Sequence, residues 1–177
     1  MVEKKAIDQL QEYLSEKLLI IGIGNALLGD DGAGPRLIEL LQEAGDGGLT
    51  LIDAGAAPER HFGEVEAAAP QSVLLVDAVD FGAAPGEIAF FDEESLPARA
   101  CCTHDVSLRL VMQYLRMTTG AKVGLLGIQP AQLTFGAGLT MEVEEAVKHL
   151  ADYLSAKAVP KDKVEANLAG VGAWTQC

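Results

Sequence analysis

The stretch Leu18-Leu-Ile-Ile-Gly-Ile-Gly-Asn-Ala-Leu-Leu-Gly-Asp-Asp-Gly-Ala-Gly-Pro35 decides the fold. It opens as an apolar run of strand length, passes through a glycine-rich turn and continues into a helical pattern. That is the order of a nucleotide-binding βαβ unit. A phosphate at such a turn needs open backbone N–H groups at the helix start. Here two adjacent carboxylates, Asp30 and Asp31, stand in that place. The partial positive charge of a helix N-terminus favours anions, and this chain supplies its own. The turn is therefore built to face a cation.

Working outward, apolar runs of strand length alternate with helical patterns. Strands are expected at 18–22, 49–53, 72–78, 87–91 and 123–128, and helices at 31–44, 59–68, 104–118 and 141–158. The run Val73-Leu-Leu-Val76 is apolar on both faces, as in a strand covered by helices on each side. The expected fold is α/β: a three-layer, mostly parallel twisted sheet of about five strands flanked by helices. The 72–78 and 87–91 runs are joined by a loop containing Pro85-Gly86, too short for a crossover helix, so one strand is antiparallel or at an edge. Residues 1–160 form a single α/β domain. Within it, Ile7, Leu10, Tyr13, Leu14 and Leu18 recur at helical spacing, so 1–17 is expected as a helical extension. Residues 161–177 are small and polar and are expected to form a loosely ordered tail.

The chain has 177 residues, 49% of them hydrophobic, yet no apolar run reaches the ~18 residues that span a bilayer. No membrane insertion is expected. The formal net charge of −13 opposes a polyanion-binding surface, so nucleic acid is not an expected partner. The three cysteines, Cys101, Cys102 and Cys177, show neither CxxC spacing nor an even-numbered framework. They read as reduced thiols of a cytoplasmic protein.

Gly22-x-Gly24 can begin a dinucleotide fingerprint, with Asp53 as the ribose-binding acid, but its third glycine would fall on Leu27. A pyrophosphate would also meet Asp30 and Asp31. One of the two aspartates can cap the following helix. Two together exceed what a cap requires, and Gly24, Gly29, Gly32 and Gly34 would let another chain's backbone come close. Asp77 ends a central apolar run, where open α/β sheets bind ligands; a turn aspartate is the plainer alternative. Thr103 can cap the next helix, placing His104 in a first turn whose dipole keeps the imidazole neutral and able to ligate. His61 and His149 are weaker candidates. In a parallel sheet Asp31, Asp77 and His104 can share one edge, and two carboxylates with one imidazole suit a divalent first-row metal.

At these residues the chain resembles the hydrogenase maturation endopeptidases, which trim the large subunit of [NiFe] hydrogenases. The resemblance runs over about residues 18–158. Its blocks are Gly22-Ile-Gly-Asn25, Gly29-Asp-Asp-Gly-Ala-Gly34, Asp53-Ala-Gly-Ala-Ala-Pro-Glu59, Val76-Asp-Ala-Val-Asp80, Pro85-Gly-Glu-Ile88, Thr103-His104 and Gly127-Ile-Gln-Pro130. The details are most similar to the branch serving formate-hydrogenlyase hydrogenases.

The resemblance implies that Asp31, Asp77 and His104 bind nickel, brought by the hydrogenase large-subunit precursor rather than held permanently. Nickel would report that the precursor is loaded, and the protease would then cut its C-terminal extension. Gly22, Gly24, Asn25, Gly32 and Gly34 would line the substrate peptide. The attacking group stays open between a metal-polarised water and a carboxylate general base, Asp31 or Asp77. An aspartic-type shared-proton dyad is disfavoured, because nickel ligation keeps both carboxylates ionised. A metal-sensing docking module that does not cut, and a nucleotide-binding α/β protein, are the alternatives. A monomer is the expected free state.

Overall fold

The computed structural model describes residues 9–14, 17–45, 48–97 and 107–158. Five strands form one sheet: β1 (Leu18–Ile23), β2 (Thr50–Gly55), β3 (Ser72–Ala78), β4 (Ile88–Phe91) and β5 (Lys122–Ile128), in the order β2-β1-β3-β5-β4. The first four positions pair in parallel, and β4 runs antiparallel to β5 at the edge. Both expectations for the short-loop strand are met, with one addition. β5 inserts between β3 and β4, so the two strands joined by the Pro85-Gly86 loop do not pair with each other.

Four helices cover the sheet: α1 (Ala33–Glu43), α2 (Phe62–Ala68), α3 (Leu108–Thr119) and α4 (Met141–Ala158). Side chains alternate across each strand, so every strand feeds two layers. Leu18, Ile20, Leu74, Val76, Leu126 and Ile128 pack with Leu37, Ile38, Leu41, Val147 and Leu150 of α1 and α4. Leu19, Ile21, Val73, Leu75, Val123 and Leu125 point the other way, onto Val65, Val111, Met112 and Leu115 of α2 and α3. This is why β1 and β3 are buried along their whole length. The three-layer α/β fold is as expected.

Several boundaries differ from the expectation. The first helix begins at Ala33, because Gly29–Gly32 forms a separate 3-10 turn that holds both aspartates. The third is described from Leu108, with Ser107 at its N-cap position and no side-chain cap. His104 itself, with Thr103, Cys101 and Cys102, lies outside the described residues. In the N-terminal extension only residues 9–11 are helical among those described, and Tyr13 N–H returns to the Leu10 carbonyl in a tighter turn. Leu10 is buried in the α1/α4 layer. The expected tail at 161–177 also lies outside the described residues. No helix among the described residues is long and apolar enough to cross a membrane.

Candidate active site at the carboxyl ends of β1 and β3

The sheet order makes β1 the turning point of the topology: the chain leaves it for β2 on one side and returns to β3 on the other. Crevices outside the carboxyl ends of such strands are where open α/β sheets bind ligands. Asp31 follows β1 and Asp77 is the next-to-last residue of β3. Gly22 and Val76 are register partners, which puts the two strand ends side by side.

Small residues seat the 3-10 turn and α1 on those ends. A Cβ on Gly34 would stand 2.2 Å from the Ile23 carbonyl oxygen and 2.5 Å from that of Val76. One on Gly22 would lie 2.4 Å from the Gly34 oxygen, and one on Gly24 only 1.8 Å from the Asp31 oxygen. Gly24 also holds φ at +136°, a backbone conformation that L side chains rarely adopt. The space opened by Gly22, Gly24 and Gly34 is thus filled by the chain's own backbone, which carries Asp31 toward β3.

Asp31 is 1% exposed, and its Oδ2 accepts a 2.8 Å hydrogen bond from the Asn25 N–H. The Asn25 side-chain oxygen in turn accepts from Leu27 N–H at 3.0 Å. Asp77 is equally buried. Asp30 does not cap α1, whose N-cap residue is Gly32 and which has no side-chain cap. Its carboxylate instead accepts the N–H groups of Ala131 (2.8 Å), Gln132 (3.0 Å) and Thr140 (2.6 Å) and the Thr140 hydroxyl. A carboxylate has about four lone-pair sites, so Asp30 is filled by its own chain.

Gln129 is a residue whose part the sequence did not disclose, although it stands in the quoted Gly127-Ile-Gln-Pro130 block. It is buried; its Oε1 accepts from Phe81 N–H at 2.9 Å and Ala83 N–H at 3.2 Å, and its Nε2 donates to Asp80 at 3.0 Å. The available signal was a polar side chain directly after the apolar run Val123–Ile128. Thr140 carried no such signal.

An open groove of about 640 Å³ borders the turn, lined by Gly29, Gly32, Arg36, Asp53, Leu139 and Glu144 among others. Of the glycines and Asn25 expected to line a peptide, Gly32 alone borders it. Asp53 is exposed and accepts the Gly55 N–H. His61 lies in the 3-10 turn Pro58–His61 against Glu64, and His149 is exposed on α4. Among the described residues no three His, Cys, Asp or Glu side chains are grouped to hold a metal ion.

Comparison with known proteins places the chain in a family. Residues 35–157 match the family model described as hydrogenase maturation protease. The hydrogenase 3 maturation protease of Escherichia coli K12 is 35% identical over 131 residues, covering 73% of this chain and 83% of its own length. The crystal structure of a [NiFe] hydrogenase maturation protease from Thermococcus kodakarensis superposes with a TM-score of 0.77 at 29% identity, covering 86% of this chain and 99% of the other. A solution structure of an endopeptidase from Escherichia coli gives 0.73 at 33% identity, covering 79% and 90%. The chain belongs to the hydrogenase maturation protease family and is a peptidase.

Proposed function

We propose that this peptidase removes the C-terminal extension of a [NiFe] hydrogenase large-subunit precursor once nickel has been inserted. The observation that carries the reading is the burial of Asp31 and Asp77 at adjacent strand ends of the topological turning point. Leaving water is costly for two carboxylates, and a cation delivered by the substrate offsets that cost. In this reading Asp31, Asp77 and His104 are the chain's ligands to the precursor's nickel. The metal is part of the substrate, so an unloaded precursor lacks the contact that docks it.

Docking on the nickel brings the scissile peptide beside Asp31, with the extension running along the groove past Gly32. Hydrolysis adds one water across the peptide bond. The water oxygen bonds to the carbonyl carbon, a carboxylate (Asp31 or Asp77) takes its proton, and the leaving amide nitrogen receives a proton as the C–N bond breaks. The nickel can polarise the attacked group. The reaction belongs to the cytoplasm, where reduced cysteines are the norm.

The test is to incubate the purified full chain with nickel-loaded precursor and weigh the products. A shortened large subunit and one released C-terminal peptide are expected. An intact precursor that nonetheless binds the protein would make the chain a docking module instead.

A further inference from the structure

Asp30 and Gln129 have no part in the reaction just described, yet Asp30 bonds both ends of one loop, residues 129–140, and Gln129, its first residue, ties it to the segment after β3. Asp30 is wholly buried one residue before Asp31. It takes the N–H groups of Ala131, Gln132 and Thr140 and the Thr140 hydroxyl, while its own N–H donates to the Gln132 carbonyl at 3.0 Å. Gly29 N–H adds a bond to the Ala137 carbonyl, and Leu28 pairs with Phe135 in an antiparallel bridge. The loop and the turn carrying Asp31 thus form one hydrogen-bonded body.

At the start of the loop Gln129 grips the segment that leaves β3 just after Asp77. Besides its side-chain bonds to Phe81, Ala83 and Asp80, its main chain exchanges 2.9 Å bonds with Gly86 N–H and the Glu87 carbonyl. Val79 N–H closes onto the Ile128 carbonyl at 2.9 Å. Charge-assisted bonds inside a low-dielectric site are short and stiff, so such a loop transmits position with little give.

The geometry points to the 129–140 loop as a brace between the turn that carries Asp31 and the segment that follows Asp77, with Asp30 and Gln129 as positioning residues for cleavage. It rests on the reading of those two aspartates as the pair that meets the substrate. A displacement of about 1 Å at a reacting centre costs on the order of 100-fold in rate, so loosening either grip is felt in turnover rather than in binding.

The experiment exchanges the roles of one bonded pair. Gln129→Glu sets a carboxylate against Asp80, and adding Asp80→Asn supplies an amide that donates back to it. Cleavage of nickel-loaded precursor is followed as kcat and KM, and the Asn25 amide is followed by 1H–15N NMR as a reporter on the Asp31 carboxylate. Gln129→Glu is expected to lower kcat by roughly 10- to 100-fold with KM within about twofold, and to shift the Asn25 amide. The double variant should recover both to within about threefold. Asp30→Asn should act in the same direction, with Thr140→Val as the milder variant if it does not fold. Unchanged kcat, loss without rescue, or an Asn25 amide that stays in place overturns the proposal. If the native chain cuts no precursor, the functional reading fails by itself. The Asn25 amide in Asp30→Asn and Gln129→Glu then still decides whether the loop fixes Asp31.

Discussion

The Oδ2 atom of Asp31 accepts a 2.8 Å hydrogen bond from the backbone N–H of Asn25, six residues before it. The bond closes the glycine turn on itself and aims the carboxylate from within its own segment. Asp30, its neighbour, is turned the opposite way and spent on the 129–140 loop. Two adjacent carboxylates that read alike in sequence thus do different work.

That division yields a first prediction. Asp31→Asn keeps an oxygen that can accept the Asn25 N–H but removes the charge, so the fold should stay within about 1 kcal/mol of native while precursor processing falls at least ~100-fold. Asp77→Asn and His104→Ala should do the same. Mass spectrometry of the precursor beside a denaturant titration of each variant checks this, and full activity in any one removes that residue from the site.

The glycines supply a second, concerned with stability. At Gly24 a Cβ would collide with the Asp31 carbonyl oxygen, and at Gly34 with the ends of β1 and β3. Gly24→Ala and Gly34→Ala should each destabilise the chain by about 3 kcal/mol, through overpacking and backbone strain. Gly63→Ala, where a Cβ meets nothing within 4 Å, is the control and should be near neutral. Urea midpoints at constant slope measure the difference.

A third concerns pH. Arg36 on α1 donates to Glu144 on α4 at 3.1 Å, and Lys148 lies 3.1 Å from the same carboxylate oxygen. The Arg36 hydrogen bond, helped by Lys148, holds Glu144 below its ordinary carboxylate range. A carboxylate lowered in the folded state adds stability above its unfolded pKa and loses it as pH falls through the folded value. Glu144→Gln should therefore cost about 0.5 kcal/mol at pH 7, and the gap from the native chain should narrow as pH falls below the ordinary glutamate range and through the lowered folded-state value. A gap that persisted at low pH would show that packing, not charge, is the source.

Much of this was legible in the sequence, for identifiable reasons. The unbroken apolar runs Leu18-Leu-Ile-Ile and Val73-Leu-Leu-Val are a local property, so strands covered on both faces could be read directly. Asp77 could be placed at a strand end because the apolar run Val73–Val76 stops just before it, and Asp31 in the turn after β1 because glycines break the pattern there. The insertion of β5 between β3 and β4 could not be read, since no local pattern records which strands pair. Nor could the partners of Asp30, which lie 101 to 110 residues away along the chain. The glycines read as room for a substrate backbone, whereas Gly22, Gly24 and Gly34 are filled by the chain's own. The helix expected from His104 is described from Leu108, and His104 with Thr103 lies outside the described residues.

In the proposed function, cleavage is conditioned on nickel carried by the precursor. This condition is tested most directly by offering the same purified protein equal amounts of nickel-loaded and nickel-free precursor and comparing initial cleavage rates by intact mass. Release of the C-terminal peptide is expected from the loaded form and, from the unloaded form, a rate lower by at least ~100-fold. Equal rates for the two forms would contradict it.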